Sequence, residues 1–111
     1  MEKFELNADY LNKNLISLPS KLWKTDFFRD YDWHFAVLTG DNEIIFFTRA
    51  QANGKAIHTP HNNSLIGEYF RKRLGVPLGE PVKMEHLLKY GRTDIDFYKI
   101  DDENYYMDFS V

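Results

Sequence analysis

Apolar and polar residues alternate in short runs along most of this chain, the pattern of strands with one face in a core and one in water. Phe4-Glu5-Leu6 reads as a first strand, and Leu15-Ile16-Ser17-Leu18 as a second that Pro19 ends. Trp33–Leu38 and Glu43–Thr48 flank the turn Gly40-Asp41-Asn42 and form the clearest hairpin in the sequence. Ile95–Ile100 and Asn104–Phe109 form another about Asp101-Asp102-Glu103. Helical spacing replaces alternation in three places. Ser20 caps a helix through Phe28, with Leu22, Trp23, Phe27 and Phe28 on its apolar side. Asn63 or Ser64 caps a second, on which Leu65, Ile66, Tyr69, Phe70 and Leu74 recur before Gly75 stops it. Met84–Tyr90 is a third, closed by Gly91.

Two segments carry no large apolar cluster. Asn7–Asn14 is rich in turn formers and reads as a loop or extended arm. Arg49–Asn63 contains Asn53-Gly54, the strongest short hairpin signal, and reads as a projecting hairpin with strands near Thr48–Ala52 and Lys55–Thr59. The elements together predict a small, largely antiparallel barrel of the mainly β or α+β class, with two or three short helices. Its expected core includes Trp23, Phe35, Val37, Ile45, Phe47, Leu65, Phe70, Leu74, Leu87 and Phe97.

Length and composition limit the architecture further. The 111 residues suit one domain, 1–111, with one modest core. The absence of cysteine excludes a disulfide framework, a thiolate zinc site and a cysteine nucleophile. The N-terminal residues lack the basic start and apolar run of a signal peptide, and no apolar stretch approaches the length of a membrane span. A cytoplasmic protein with no membrane association is expected. Net charge is −3, which argues against nucleic acid until its distribution is considered. Phe46–Gly75 has five basic residues against Glu68 alone, a local charge of +4. Asp94–Val111 has six acids against Lys99 alone, a local charge of −5. A basic face can therefore coexist with an acidic back.

Catalytic constellations are weak. His58-Thr59-Pro60-His61 brings two histidines close, but Pro60 blocks the helical geometry that usually pairs them on a metal, and the following helix has no histidine. Asp94-Ile95-Asp96-Phe97-Tyr98-Lys99 approaches the acid, acid-x-Lys pattern of Mg²⁺-dependent nucleases, yet Phe97 stands where the second acid belongs. Its acids read as the solvated face of a half-buried strand. No serine sits in a nucleophile elbow, and there is no phosphate-cradling glycine loop. No catalytic residue, metal or cofactor is assigned. Arg71-Lys72-Arg73 fan over about 200° of a helix, so they cannot all face one partner and suit phosphate contact better than base reading.

The order of segments resembles the plant B-three DNA-binding domain. Phe4-Glu5-Leu6-Asn7-Ala8-Asp9, then Leu15-Ile16-Ser17-Leu18-Pro19-Ser20-Lys21 and Phe27-Phe28, is similar to its opening: strand, DNA-contacting N-arm, strand and short helix. Val37–Asp41 with Ile44–Phe46 is similar to its central hairpin, Thr48–Asn63 falls where its C-arm lies, and Leu65–Gly75 resembles the helix that follows. Leu78-Gly79-Glu80-Pro81-Val82 resembles its Leu-x-x-Gly-Asp-x-Val turn, with Glu-Pro replacing Gly-Asp chemistry, and Phe97–Ile100 resembles its closing strand. The added Met84–Gly91 helix points to the bacterial relatives, specificity domains of restriction endonucleases.

The resemblance implies a seven-stranded open pseudobarrel that binds double-stranded DNA by sequence through two arms in the major groove, with cutting residues on another domain or subunit. Asparagine and glutamine pair with adenine, and arginine or lysine with guanine. The expected DNA-binding residues are therefore Asn7, Asp9, Tyr10, Asn12, Lys13 and Asn14 in the first arm, and Thr48, Arg49, Gln51, Asn53, Lys55, His58, Thr59, Asn62 and Asn63 in the second. Arg71, Lys72 and Lys13 are expected at phosphates, and Arg49 with Gln51 at base edges. The alternative is a barrel that binds protein or a small ligand without nucleic acid.

Overall fold

A computed structural model describes residues 1–28, 33–50 and 54–111. Among these residues seven strands and four short helices follow in the order β1 (Glu2–Glu5), α1 (Ala8–Asn12), β2 (Ile16–Ser17), α2 (Ser20–Trp23), β3 (Phe35–Thr39), β4 (Ile44–Ala50), β5 (Ala56–His58), α3 (Leu65–Leu74), α4 (Met84–Tyr90), β6 (Asp94–Lys99) and β7 (Asn104–Asp108).

The strands form one sheet in the spatial order β1-β6-β7-β3-β4-β5-β2. Every neighbouring pair is antiparallel except β3 and β7, which run parallel. The sheet curls until its terminal strands, β1 and β2, face each other across an open seam. A cleft of about 920 Å³ lies there, lined from both sides by residues such as Lys3, Glu5, Ser17 and Lys21. Lys21, just beyond β2, reaches Glu2 of β1 at 3.8 Å. This is the mainly β, seven-stranded open pseudobarrel anticipated above, with one parallel pair.

Alternate residues of the strands fill the barrel. Phe35, Val37, Ile45, Phe47, Phe97, Tyr105 and Met107 point inward and are buried. Phe28 closes one end among Phe35, Phe97 and Tyr105, with ring centroids 5.2–5.4 Å apart. Of the ten expected core residues, Trp23, Leu65 and Leu74 are only partly buried at the margin, whereas the other seven are buried.

The helices require three corrections. There are four among the described residues, not two or three, because the polar segment Asn7–Asn14 is not an extended arm. Asn7 caps α1, its Oδ1 accepting from Asp9 N at 2.9 Å and Tyr10 N at 3.4 Å, and Leu11 anchors the helix in the core. The helix expected from Ser20 to Phe28 stops at Trp23, and Pro19, not Ser20, occupies its N-cap position. Thr25 Oγ1 donates to Leu22 O, occupying a terminal carbonyl. By contrast α3 ends at Gly75 (φ 74°) and α4 at Gly91 (φ 103°), both left-handed stops at the expected places. No helix among the described residues is long and apolar enough to cross a membrane.

Arg73 locks the helical end of the barrel. It pairs with Asp41 in the β3–β4 turn and donates to Tyr90 Oη at 3.0 Å and to Phe109 O at 3.2 Å. Tyr90 in turn stacks on Phe109 at 4.6 Å.

Candidate nucleic-acid interface

The two segments expected to contact DNA lie at opposite ends of β2. Residues 6–15 carry the chain from β1 across the seam into β2. The β4–β5 turn lies at the far end, where Leu18 N donates to Lys55 O at 2.9 Å.

In the first segment, the side chains divide between structural and free groups. Asn12 donates from Nδ2 to Val82 O at 2.9 Å, and its Oδ1 accepts from Val82 N at 2.7 Å and from Arg71 Nη2 at 3.3 Å. An amide so used ties α1 to the 81–83 loop and to α3, contrary to the expectation of a free base reader. Asn14 adopts φ 61° and lies against Gly67, where an added Cβ would stand 2.3 Å from its Oδ1. Asn7, Asp9 and Lys13 are exposed, Tyr10 is half-buried, and the Lys13 ammonium lies 5.6 Å from the Tyr10 ring centre.

The described residues of the second segment form the expected hairpin and lie within the sheet. Thr48, Arg49 and Ala50 pair with His58, Ile57 and Ala56, while β5 also pairs with β2, so the hairpin belongs to the sheet. Strand parity places Arg49 with Ile45 and Phe47 on the inner side, only 8% exposed. Its Nη2 donates to Trp23 O at 2.9 Å. Gly54 (φ 64°) crosses so close that a Cβ there would meet Arg49 Nε at 3.1 Å. Arg49 therefore supports the turn from beneath, which corrects the expectation that its guanidinium faces base edges. Gln51 and Asn53 lie outside the described residues. Thr48 is buried and donates to Trp33 O at 3.2 Å. Lys55 is exposed, 5.0 Å from the Trp23 ring centre, and Lys24 lies 5.4 Å from the same ring. Trp23 and Lys24 were not anticipated at the site. The helical spacing assigned Trp23 to the core, and only the tertiary fold brings Lys24 and Lys55 to one ring.

Beyond β5, Thr59 is buried with its hydroxyl donating to Asn62 O at 2.6 Å. Asn62 Oδ1 accepts from Ser64 N and Oγ, which leads the chain into α3, while Asn63 is exposed. Burial, and then the neighbouring His34, lower the His58 pKa and so favour its neutral form. His34 and His61 meet edge to face at 5.0 Å. Among the described residues no three histidines or carboxylates are placed to hold a metal ion.

On α3 the three consecutive cations go separate ways. Arg71 donates to Glu80 O at 2.9 Å and to Asn12, so it is a tie between loops, not the free phosphate contact expected. Arg73 is the lock described above. Lys72 is exposed.

The charges segregate across the barrel. Asp94 and Asp96 do not form the solvated face expected of them. Arg92 reaches both at 2.7 Å and Asp108 at 3.8 Å, and Lys3 reaches Asp96 at 3.7 Å. By contrast, Lys13, Lys24, Lys55 and Lys72 make no ion pair among the described residues.

The chain is thus a curled seven-stranded half-barrel whose exposed surface includes the unpaired Lys13, Lys24, Lys55 and Lys72. The family model described as the NgoFVII C-terminal B3-like DNA-binding domain matches residues 2–101. The chain belongs to this family of B3-like DNA-binding domains of restriction endonucleases, and it is a DNA-binding module. A comparison with curated proteins returned no match.

Proposed function

We propose that residues 1–111 act as one target-recognition module of a restriction endonuclease, binding double-stranded DNA by sequence in the major groove, with the cutting chemistry on another domain or subunit. The observation that carries this reading is the set of unpaired lysines, Lys13, Lys24, Lys55 and Lys72, on a chain whose net charge is −3. They neutralise phosphates and set the register of the domain on the duplex. Base reading falls to the exposed Asn63 and Lys55, together with Gln51 and Asn53, while Asn7 and Asn62, whose amide oxygens are engaged within the fold, offer only an Nδ2 donor. Asn12, Arg49, Thr59 and Arg71 hold these groups in place from behind. His58 offers a hydrogen bond from its imidazole.

Selection from a random duplex library tests the reading. A defined motif that the purified domain binds well above scrambled duplexes supports it. Uniform binding of all duplexes leaves a nonspecific DNA-binding module and removes the target-recognition role.

A further inference from the structure

The wall formed by β6, β7, β3 and β4 presents apolar side chains outward. Register aligns Tyr98, Tyr106, Leu38 and Ile44 in one row across the four strands. A second row runs through Asn104, Ala36 and Phe46, with Ile100 at its end. Ile44 is 63% exposed, Phe46 54% and Ile100 64%. The outer face of an antiparallel sheet ordinarily carries polar residues, so a contiguous apolar band there marks a contact surface. The small side chain of Ala36 leaves hollows on either side. One of about 270 Å³ is bounded by Leu38, Ile44 and Ile100, and one of about 500 Å³ by His34, Phe46 and His61.

Charge selects the occupant. Asp41 and Glu43 stand at the β3–β4 end of the band, and Asp101 and Asp102 at the β6–β7 end. Arg73 takes Asp41 and Lys99 takes Asp102 at 3.2 Å, which leaves each end negative among the described residues. Nucleic acid and an anionic lipid surface are repelled by such a rim. A two-fold arrangement of this chain on itself brings acidic end against acidic end. A protein surface that is apolar at its centre and basic at its rim matches both features. Because β7 and β3 lie in the middle of the sheet order, the band sits across the barrel from the seam. We propose that this wall docks a protein partner with an apolar centre and a lysine- or arginine-rich rim, leaving the arms and seam accessible.

The test uses three short labelled peptides, read by fluorescence anisotropy with the whole chain. The first is an amphipathic helix of Leu and Lys, the second has the same apolar face with Glu for Lys, and the third has the same lysines with Ser for Leu. The expected result is binding of the Leu/Lys peptide at least about tenfold tighter than either control. Ile44→Ser with Phe46→Ser weakens it by at least about tenfold. Both sites are exposed, so the melting midpoint reports whether the fold is kept. Glu43→Lys with Asp101→Lys shifts preference towards the Leu/Glu peptide, which gives a second readout independent of the apolar substitutions. Equal binding of the Lys/Ser peptide, or indifference to both variant pairs, overturns the proposal. Sedimentation showing a dimer that Phe46→Ser dissolves overturns it in favour of a second copy. Displacement of the Leu/Lys peptide by duplex DNA overturns the separation of the two faces.

Discussion

The β1–β6–β7 flank and the flank around β2 and β5 both carry charge, but they use it differently. On the first, Arg92 and Lys3 are surrounded by Asp94, Asp96 and Asp108. On the second, Lys13, Lys24 and Lys55 are exposed, hold their ammonium groups 5.0–5.6 Å from the ring centres of Tyr10 and Trp23, and pair with no carboxylate among the described residues. Charges paired within the fold add little to the field a ligand meets, whereas unpaired ones act at a distance. The net charge of −3 therefore says little about what the arm side attracts.

The largest expected effect breaks the comparison on the arm side. About four phosphate contacts imply a log–log slope of roughly −3.6 for affinity against salt, or about a 150-fold loss between about 50 and 200 mM. Replacing Lys13, Lys24, Lys55 and Lys72 together by Gln is expected to flatten that slope nearly to zero in a binding titration. A slope unchanged by the four substitutions places the phosphate contacts elsewhere.

On the opposite flank the effect is on stability. Arg92→Ala leaves Asp96 among carboxylates without its main cation. Removing one partner of a buried pair costs about 3–5 kcal/mol, and the partial exposure of this cluster reduces that to roughly 2–3 kcal/mol. Urea denaturation measures it, and the salt slope of DNA binding by the folded protein is expected to stay as it was.

Arg49 and Lys72 sharpen the comparison between supporting and contacting cations. Arg49→Ala removes the bond to Trp23 O and the prop under Gly54, with an expected stability loss of about 1–3 kcal/mol. Lys72→Ala leaves the melting midpoint alone and weakens a selected and a scrambled duplex by the same factor. A stable Arg49→Ala variant that has lost only its sequence preference restores Arg49 as a base reader.

The smallest effect is pH dependence. The Ser110 hydroxyl and backbone N–H hold the Asp108 carboxyl below its usual range. Its contribution is present above the unfolded carboxylate pKa, about 3.9, and is lost as pH falls through the lower folded value. His58 is also lowered, so the unfolded chain takes up its proton first and stability declines as pH falls below about 6.5. Thermal melts between about pH 7 and 3 are expected to show both falls. Asp108→Asn reduces the acid fall, and His58→Gln removes the milder one.

Much of the fold was legible because it rests on local pattern. The β3–β4 hairpin, the long helix ending at Gly75 and the helix Met84–Tyr90 appear where alternation, 3.6-residue spacing and glycine stops indicate. The segment Asn7–Asn14 was misread because asparagine is both a turn former and a helix cap. Its helix is held by Leu11 in the core and by Asn12 on Val82, 70 residues away in sequence. Arg49 was misread as a surface residue because a charge on a strand is ordinarily outside, although its parity with Ile45 and Phe47 already pointed inward.

The sequence by itself determined the strands, their inward faces, the order of the two arms and the uneven distribution of charge, since each depends on near neighbours and on side-chain chemistry. Only the tertiary structure decided which charges remain for a ligand. Arg71 is consumed by Glu80 and Asn12, Arg73 by Asp41 and Tyr90, and Arg92 by three aspartates, while Lys24 and Lys55 converge on Trp23 and stay exposed. A cation's availability depends on which oxygen atoms the folded chain brings within about 3–4 Å of it. Sheet order and loop closure set most of those distances; among them only Arg92 meets close neighbours in sequence, Asp94 and Asp96.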